Sequence, residues 1–368
     1  MQRPCYAFDH EPTVDEMRAT AVRAMRDELS VPWFTAQTIA YRKKGAVEGK
    51  LFQFEEGKRF AGMPYTSAGK GIFQWWEYYC EATGEMQYHD SEGFNATIGN
   101  TCASSAAWGL FAVCTSMRGR CISRFLTYDN GYFPLGEVRY PESVTDFDTY
   151  TTTRILEEVG EETVMGGYAL ARPGDLLCFS DGGPSGGHTM MAIEDAFVVR
   201  REDGTINPTE SFVFVQDQRP GFYRIPGEDG TERLYSGRIR HCATFAELLK
   251  GRYLALTVAE FQGKKAYEKA YVRAEGFDGA SSFERTVLRS NYPMAVVKMI
   301  LNCGGKKTLL ARTLFTRVEI ESGEAFAYPL AALAKEFHTA PGGEIRVEAT
   351  VSTGEIFCPI RTTVEKEA

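Results

Sequence analysis

The sequence lacks the residue patterns that mark several common functional sites. No two cysteines are spaced as Cys-x-x-Cys and no two histidines as His-x-x-x-His, so nothing supports a structural zinc site. The Gly-Lys-Ser loop that cradles phosphates and the glycine fingerprint of dinucleotide-binding folds are also missing. We therefore expect neither a metal nor a cofactor.

Long apolar runs and long basic runs are absent as well. Nothing approaches the roughly 20 apolar residues that a membrane-spanning helix needs, so no membrane span is expected. The chain has 368 residues and a net charge of −8, which argues against nucleic acid or an anionic membrane surface as the main partner. Residues 1–15 contain no apolar stretch of the signal-peptide kind, so we expect a cytoplasmic protein. The alternative is export to the cell envelope with a signal that this sequence does not include.

Cysteine is present but follows no disulfide pattern. The chain has nine cysteines, an odd number, and many of them lie inside apolar runs. Both features favour free buried thiols over a disulfide framework. The nine are Cys5, Cys80, Cys102, Cys114, Cys121, Cys178, Cys242, Cys303 and Cys358.

The pattern of elements changes near residue 248, which predicts two domains, 1–248 and 249–368. In the first, helical and strand patterns alternate, and an amphipathic helix over 11–29 lies in a helical extension over 11–42. In the second, short runs of β-type residues separated by turns predict an all-β, Ig-like sandwich that serves as an accessory module for positioning or homo-oligomerisation. Its predicted strands are 253–258, 267–272, 283–288, 295–301, 309–318, 345–351 and 356–363.

One stretch places a cysteine at the start of a helix. Asn100 and Thr101 are residue types that cap helix N-termini, and small helix-forming residues follow Cys102. A thiol there meets the positive end of the helix dipole, which favours the thiolate. Free backbone N–H groups at the same place can bind a developing oxyanion. The position therefore suits a cysteine nucleophile, and the alternative is a small buried core cysteine.

Four short pieces of sequence occur in a defined order. Gly62-Met63-Pro64-Tyr65 precedes Cys102, Pro173-Gly174-Asp175-Leu176 opens a predicted strand, and Gly187-His188 opens the next strand. Over about residues 55–220, this order resembles that of the NlpC-type cysteine endopeptidases, a circularly permuted branch of the papain-like superfamily. The resemblance implies an α+β catalytic domain in which helices pack on an antiparallel sheet.

The resemblance also implies roles for individual residues. Cys102 would be the nucleophile and His188 its base, with a polar residue on the next strand to orient the His188 ring. The family's Phe-Val-polar register selects Gln216, which a regular hairpin places opposite His188. Asp217 is the alternative third member of the triad, because a β-bulge would exchange the two residues. The expected substrate-binding residues are Tyr65, Thr101, Ser104 and Gly187.

The match to the family has two departures at the site itself. Family members carry an acidic residue before the nucleophile, where it helps to hold a free amino group of the substrate. This chain has Thr101 at that position. Where the family commonly has Val-Gly after the histidine, this chain has Thr189-Met190. The sequence thus predicts retained thiol chemistry with an altered substrate pocket.

We expect a cysteine hydrolase that cleaves an amide bond. The resemblance implies a small peptide or peptidoglycan fragment as substrate, of the kind found in bacterial cell walls. Two alternatives stay open. One is a thiol acyltransferase or amidase on a substrate other than peptidoglycan, and the other is a catalytically silent binding protein of the same fold, in which His188 would be a structural histidine.

Overall fold

The computed structural model describes residues 2–42, 51–87, 98–117, 131–139, 151–180, 187–226 and 232–365. These residues form a mixed α+β structure with several largely antiparallel sheets. The helices are α1 (Val14–Ser30), α2 (Ile72–Trp76), α3 (Cys102–Phe111), α4 (Thr152–Val159), α5 (Glu161–Tyr168), α6 (Phe245–Lys250), α7 (Arg317–Ser322) and α8 (Ala334–His338). Within the described ranges, no helix is both long enough and apolar enough to cross a membrane.

The strands form four sheets. The first sheet has ten strands. In spatial order they are β5 (Tyr79–Cys80), β6 (Glu85–Met86), β1 (Pro32–Thr35), β4 (Arg59–Ala61), β11 (Glu232–Thr244), β10 (Phe212–Pro226), β9 (Gly187–Ala192), β8 (Leu176–Ser180), β12 (Leu254–Val258) and β7 (Tyr132–Pro134). A separate pair consists of β2 (Ile39–Arg42) and β3 (Leu51–Phe54). The remaining two sheets contain β13 (Val272–Glu275), β14 (Val287–Ser290) and β17 (Ala327–Pro329), and β16 (Lys306–Leu314), β15 (Met294–Cys303), β18 (Gly343–Val351) and β19 (Ile356–Val364).

Helix α1 is the support on which the site is built. Thr13 and Glu16 form a capping box at its N-terminus, which satisfies backbone N–H groups that the helix leaves open. Its apolar side chains, among them Met25 and Leu29, are buried, and the helix packs against α3 and β11. The predicted helical extension over 11–42 is wrong beyond Ser30. The chain turns into strands β1 and β2 there, because Pro32 lacks the N–H that a continuing helix would need.

Strand β12 shows that the predicted boundary at residue 248 is misplaced. This strand lies between β8 and β7 in the ten-stranded sheet, where Leu254 pairs with Cys178 and Leu256 pairs with Pro134. All five of its residues are buried. The first sheet is therefore complete only when the chain has passed Val258, and a cut at 248 would remove one of its inner strands.

The C-terminal part is rich in β-structure, as expected, and its seven strands form antiparallel sheets of three and four. The predicted runs 295–301, 345–351 and 356–363 all lie in strands of the four-stranded sheet. Three other predictions differ in part from the structure. Run 267–272 reaches a strand only at Val272, and the first half of run 283–288 is a 3-10 turn. Run 309–318 begins in β16 but extends into helix α7. Strand β17 was missed because Ala327–Pro329 is only three residues long.

Buried hydrogen bonds join the C-terminal part to the first sheet and its helices. The Gln74 side chain on α2 donates to the Phe315 carbonyl at 2.8 Å, and the Ser352 hydroxyl donates to the Phe111 carbonyl at the end of α3 at 2.6 Å. Glu77 also pairs with Lys298 at 2.9 Å. Because buried polar groups need these partners, the two parts support each other.

Candidate active site

Cys102 is the first residue of α3, as the sequence predicts. Thr101 is the N-cap, and its hydroxyl accepts a hydrogen bond from the Ser104 backbone N–H. The Thr101 and Ser104 hydroxyls also lie 2.9 Å apart. Thr101 and Ser104, the two predicted substrate-binding residues, therefore cap helix α3, and their hydroxyl groups contact each other at its start.

The loop before α3 is held by a buried polar network. Asn100 donates to the Glu28 carboxylate on α1 at 2.8 Å, and the Gln218 side chain donates to the Asn100 amide oxygen at 3.2 Å. Glu28 is buried, and burial raises its pKa well above its usual range, against the effect of the hydrogen bonds that it accepts from Asn100 and the Ile72 backbone N–H. At Gly99, a Cβ atom would lie 2.2 Å from the Pro64 carbonyl oxygen. The position of Cys102 is thus set by contacts to α1, β10 and the Pro64 loop.

The Pro-Gly-Asp-Leu piece has a structural role in this fold. Asp175 is buried and forms an ion pair with buried Arg18 of α1 at 3.0 Å. It also accepts a hydrogen bond from the Arg172 backbone N–H at 2.9 Å, which closes the turn. Gly174 adopts φ +87°, a left-handed conformation that favours glycine. The turn fixes the start of β8 against α1, and β8 in turn pairs with β9, which carries His188.

His188 and Asp217 are in direct contact. His188 lies on β9 opposite Phe179, and its Nε2 atom is 2.7 Å from Asp217 Oδ2. Asp217 is fully buried, and its carboxylate also accepts hydrogen bonds from Arg238 Nε at 2.8 Å and Arg219 Nε at 2.6 Å. Burial opposes ionisation of Asp217, but the hydrogen bonds from His188 and Arg238 hold its pKa well below the usual range. The carboxylate is therefore charged and orients the His188 ring.

The prediction that Gln216 orients His188 is wrong. Gln216 pairs with Met191, which is three positions beyond His188. Side chains on a strand alternate between faces, so this odd offset puts Gln216 on the face away from His188. Its amide donates instead to the Val22 carbonyl of α1 at 2.8 Å. Asp217, the alternative, is the residue that reaches His188, and β10 has a register shift against β11 between Val215 and Asp217.

The surroundings of Cys102 favour its thiolate. The thiol is 7% exposed, and burial alone would raise its pKa. The charge and hydrogen bond of His188, together with backbone donors from Thr189 and Ala103, outweigh burial and lower the pKa of Cys102. Burial works against the charged form of His188 too, but Cys102 and Asp217 raise its pKa to about 9. Because His188 Nε2 faces Asp217, His188 Nδ1 is the ring nitrogen that can contact the Cys102 sulfur.

Tyr65 lies beside Cys102, as the resemblance implies. It forms a parallel bridge with Asn100, and its side chain makes a hydrogen bond with Cys102. Burial, with the neighbouring Cys102 charge, raises the pKa of Tyr65, so its hydroxyl keeps its proton and can donate it in a hydrogen bond. Gly187, the last predicted substrate-binding residue, is exposed at the start of β9.

Three site residues were missed from the sequence. Arg219 follows Asp217 by two positions, so strand periodicity could have placed both on one face. Arg238 comes from β11 and pairs with Asp217, a neighbour that only the tertiary structure reveals. The Tyr253 ring stands edge-on to the His188 ring with centroids 6.4 Å apart.

No further chemical centre is evident in the part of the chain that the structure describes. It contains no group of three or more His, Cys, Asp and Glu side chains that could hold a metal ion. Its cysteines are free thiols, some buried and some exposed. Cys121 lies outside the described residues.

Comparison with known proteins gives no relative. No family model matches the chain, and no significant match occurs among the curated proteins or the solved structures. The resemblance to the NlpC-type endopeptidases therefore depends on the residues at the site and their arrangement.

Proposed function

We propose that this protein is a cysteine hydrolase of the papain-like type that cleaves an amide bond, with Cys102 as nucleophile, His188 as acid and base, and Asp217 as the residue that orients His188. The observation that carries the proposal is the chain of contacts from a thiol at a helix N-terminus, through His188, to a buried carboxylate at 2.7 Å. Such a nucleophile, base and orienting group are the minimal parts of acyl-transfer catalysis.

The reaction follows from these positions. The Cys102 thiolate attacks the carbonyl carbon of the amide, and protonated His188 gives its proton to the leaving amine as the C–N bond breaks. The acyl group is then held on sulfur as a thioester. His188 takes a proton from water, the hydroxide oxygen attacks the thioester carbon, and the thiolate leaves as the acid is released. Tyr65 and the backbone N–H groups at the start of α3 support the oxyanion of each tetrahedral intermediate.

The circularly permuted papain-like fold is part of the same proposal. What supports a papain-like arrangement is that α3, which begins with Cys102, packs on β9, which carries His188, and on β10, which carries Asp217. The proposed substrate is a small peptide with D-amino acids, as in cell-wall fragments, and the C-terminal sheets would be an Ig-like accessory module.

Selective alkylation tests the nucleophile. A brief exposure to limiting iodoacetamide at pH 7, followed by peptide mass spectrometry, should modify Cys102 before the exposed thiols of Cys5, Cys242, Cys303 and Cys358, although Cys102 is mostly buried. The reason is that only thiolates react, and His188 lowers the pKa of the Cys102 thiol. Modification of Cys102 last, in line with its burial, would contradict the proposal and favour the catalytically silent alternative.

Product analysis separates hydrolysis from acyl transfer. The protein is incubated with a synthetic peptide that carries D-amino acids, with and without an added amine. Hydrolysis gives the free acid in both samples, whereas an acyltransferase gives the new amide when the amine is present. The Cys102→Ala variant is the control, and neither product should form with it.

A further inference from the structure

His188 is one of three side chains that lie in a row across neighbouring strands. On β9 it is directly opposite Phe179 of β8. Leu254 of β12 pairs with Cys178, so the same antiparallel register places Tyr253, the residue before Leu254, opposite Phe179. Residues that are opposite each other in neighbouring strands point to the same face of the sheet. The order along this row is therefore His188, Phe179 and Tyr253.

The Tyr253 ring packs against both other members of the row. Its centroid is 6.0 Å from that of Phe179, with 56° between the ring planes. Its centroid is 6.4 Å from that of His188, and the two planes are nearly perpendicular, at 82°. Edge-to-face packing at such separations is favourable between aromatic rings. The Tyr253 ring thus extends past β8 and meets the imidazole from that side.

The hydroxyl end of Tyr253 lies near the groups that face the two nitrogens of His188. Burial is the main cause that raises the pKa of Tyr253 to about 12; the Arg219 charge opposes this effect, and the charges of Asp217 and Cys102 add to it. Asp217 is 0% exposed and the His188 side chain is 16% exposed. The half-buried Tyr253 therefore helps to enclose the hydrogen bond between His188 and Asp217.

The backbone holds Tyr253 in this place from both sides. Its N–H donates to the Leu248 carbonyl at 3.0 Å, and the Tyr168 hydroxyl donates to the Tyr253 carbonyl. Arg252, the preceding residue, has φ +58° and is the only non-glycine residue with a positive φ in the described ranges. Side chains rarely adopt this conformation, and it persists where the surrounding structure requires it. The turn between α6 and β12 therefore places Tyr253 beside His188 at a conformational cost.

We propose that Tyr253 is a positioning residue for His188: its ring keeps water away from the hydrogen bond to Asp217 and so holds the imidazole in the orientation that faces Cys102. Water at this hydrogen bond would weaken it, because hydrogen bonds are electrostatically stronger in surroundings of low dielectric constant. This inference rests on the proposed function. It goes beyond that function by assigning a role to a residue outside the segment 55–220 that resembles the NlpC-type endopeptidases.

The exchange of the His188 Nε2 proton with water measures this shielding. The protein is labelled with ¹⁵N-histidine, and the low-field imidazole N–H signals are recorded by NMR at pH 7, where His188 is protonated because its pKa is about 9. His188→Gln identifies the signal among those of the five histidines, and couplings to the ring C–H protons distinguish Nε2 from Nδ1. We expect the wild type to give a slowly exchanging Nε2 proton.

Substitutions of Tyr253 test whether its ring is the shield. Tyr253→Leu removes the ring and should raise the exchange rate about tenfold or more, whereas Tyr253→Phe keeps the ring and should change the rate by less than about twofold. Tyr271→Leu is the matched control, because Tyr271 is also half-buried but belongs to the C-terminal part, where its ring lies under Arg273. That variant should leave the rate unchanged.

Urea unfolding shows which variants are folded. If Tyr253→Leu does not fold, Tyr168→Phe replaces it, because this change removes only the hydroxyl that binds the Tyr253 carbonyl. It should raise the exchange rate about threefold. An unchanged rate in the folded variant of the two would contradict the inference, and so would an equal rise in Tyr253→Phe and Tyr253→Leu.

The outcomes separate this inference from the proposed function. If Cys102 is alkylated before the exposed thiols but the wild-type Nε2 proton already exchanges as fast as in free imidazole, Tyr253 does not position His188 and the nucleophile stands. If Tyr253→Leu raises the exchange rate but Cys102 is alkylated last, the ring shields a structural histidine. The proposed function is then wrong, and the role of Tyr253 in catalysis is lost with it.

Discussion

The region that carries the site and the C-terminal β-rich region have cores of different chemistry. The buried carboxylates of the described chain, Glu28, Asp175, Asp217 and Glu260, all lie before residue 261. The C-terminal sheets bury mainly aliphatic side chains such as Val296, Val297 and Val347, with small neutral polar groups. A buried carboxylate is costly unless it is fully paired. The first region therefore holds paired charged groups in its interior, while the other contributes a hydrophobic core.

The two regions nevertheless share one folded body. Hydrogen bonds from Gln74 to Phe315 and from Ser352 to Phe111 cross between them in the interior. The two regions therefore differ in the side chains that they bury but do not fold independently of each other. The following predictions test where the first region ends and how much each buried charged group contributes to stability and to the reactivity of Cys102.

The largest effect is expected from truncation at residue 248. This cut removes β12 from between β8 and β7 and exposes both neighbours, together with the surfaces that meet the C-terminal part. We expect fragment 1–248 to be insoluble or to unfold without a cooperative transition, because a typical total stability of about 5–15 kcal/mol leaves little reserve against the loss of a buried strand. Expression followed by urea unfolding measures this, with the full chain as control. A soluble fragment with a cooperative transition would instead support the domain boundary at residue 248 that the sequence predicts.

Removal of the His188 ring is expected to have the next largest effect. In His188→Ala the buried thiol loses the charge that lowers its pKa. Burial then raises the pKa of Cys102 and a smaller fraction of the thiol ionises at pH 7, so alkylation of Cys102 by iodoacetamide should slow by about tenfold or more. The pH midpoint of alkylation should rise at the same time. A midpoint shared by the wild type and the variant would show that His188 does not act on Cys102.

Asp217 and Gln216 are adjacent and buried but should differ in their effects. Asp217→Asn leaves Arg238 without its negative partner, which should reduce the free energy of unfolding by about 3–5 kcal/mol and slow alkylation of Cys102. Gln216→Ala removes a hydrogen bond to the Val22 carbonyl and should cost about 1 kcal/mol without changing the alkylation rate. Urea unfolding and iodoacetamide kinetics measure the two quantities. The opposite ranking in alkylation would favour Gln216 as the orienting residue after all.

The smallest effect concerns pH. The pKa of His188 is raised from 6.5 to about 9 in the folded protein. Its protonated form therefore contributes stability that is complete below about pH 6.5 and lost as the pH rises through about 9. Peptide hydrolysis should decline over the same basic range, because His188 can then no longer protonate the leaving amine. Urea unfolding and initial rates between pH 7 and 10 measure both changes, and a stability curve in His188→Gln with the same slope would contradict the assignment.

Much of the fold follows from local sequence signals. Thr101 and the small residues after it place the start of α3 at Cys102, and the confirmed helix begins there. Helix α4 runs from Thr152 to Val159, since Thr151 caps its start and Gly160 ends it. Such capping and turn signals act within a few residues, so the sequence alone suffices to find them.

The identity of the histidine's partner could not be fixed in the same way. Both Gln216 and Asp217 follow the same apolar run, and the choice depends on how β10 aligns with β9. An offset of one residue moves every side chain of a strand to its other face, and the alignment is set by packing on α1 and by the register shift after Val215.

The sequence by itself determined that a cysteine begins a helix, that a histidine begins a later strand, and that no acidic residue precedes the cysteine. The tertiary structure decided that Asp217 holds His188, that Arg219 and Arg238 bind that carboxylate, and that β12 belongs to the first sheet. The physical reason is the separation along the chain between the residues that interact. Capping and chain propensity depend on neighbours along the chain, whereas strand register and charge pairing depend on residues far apart in sequence that only the packed sheet brings within hydrogen-bond distance.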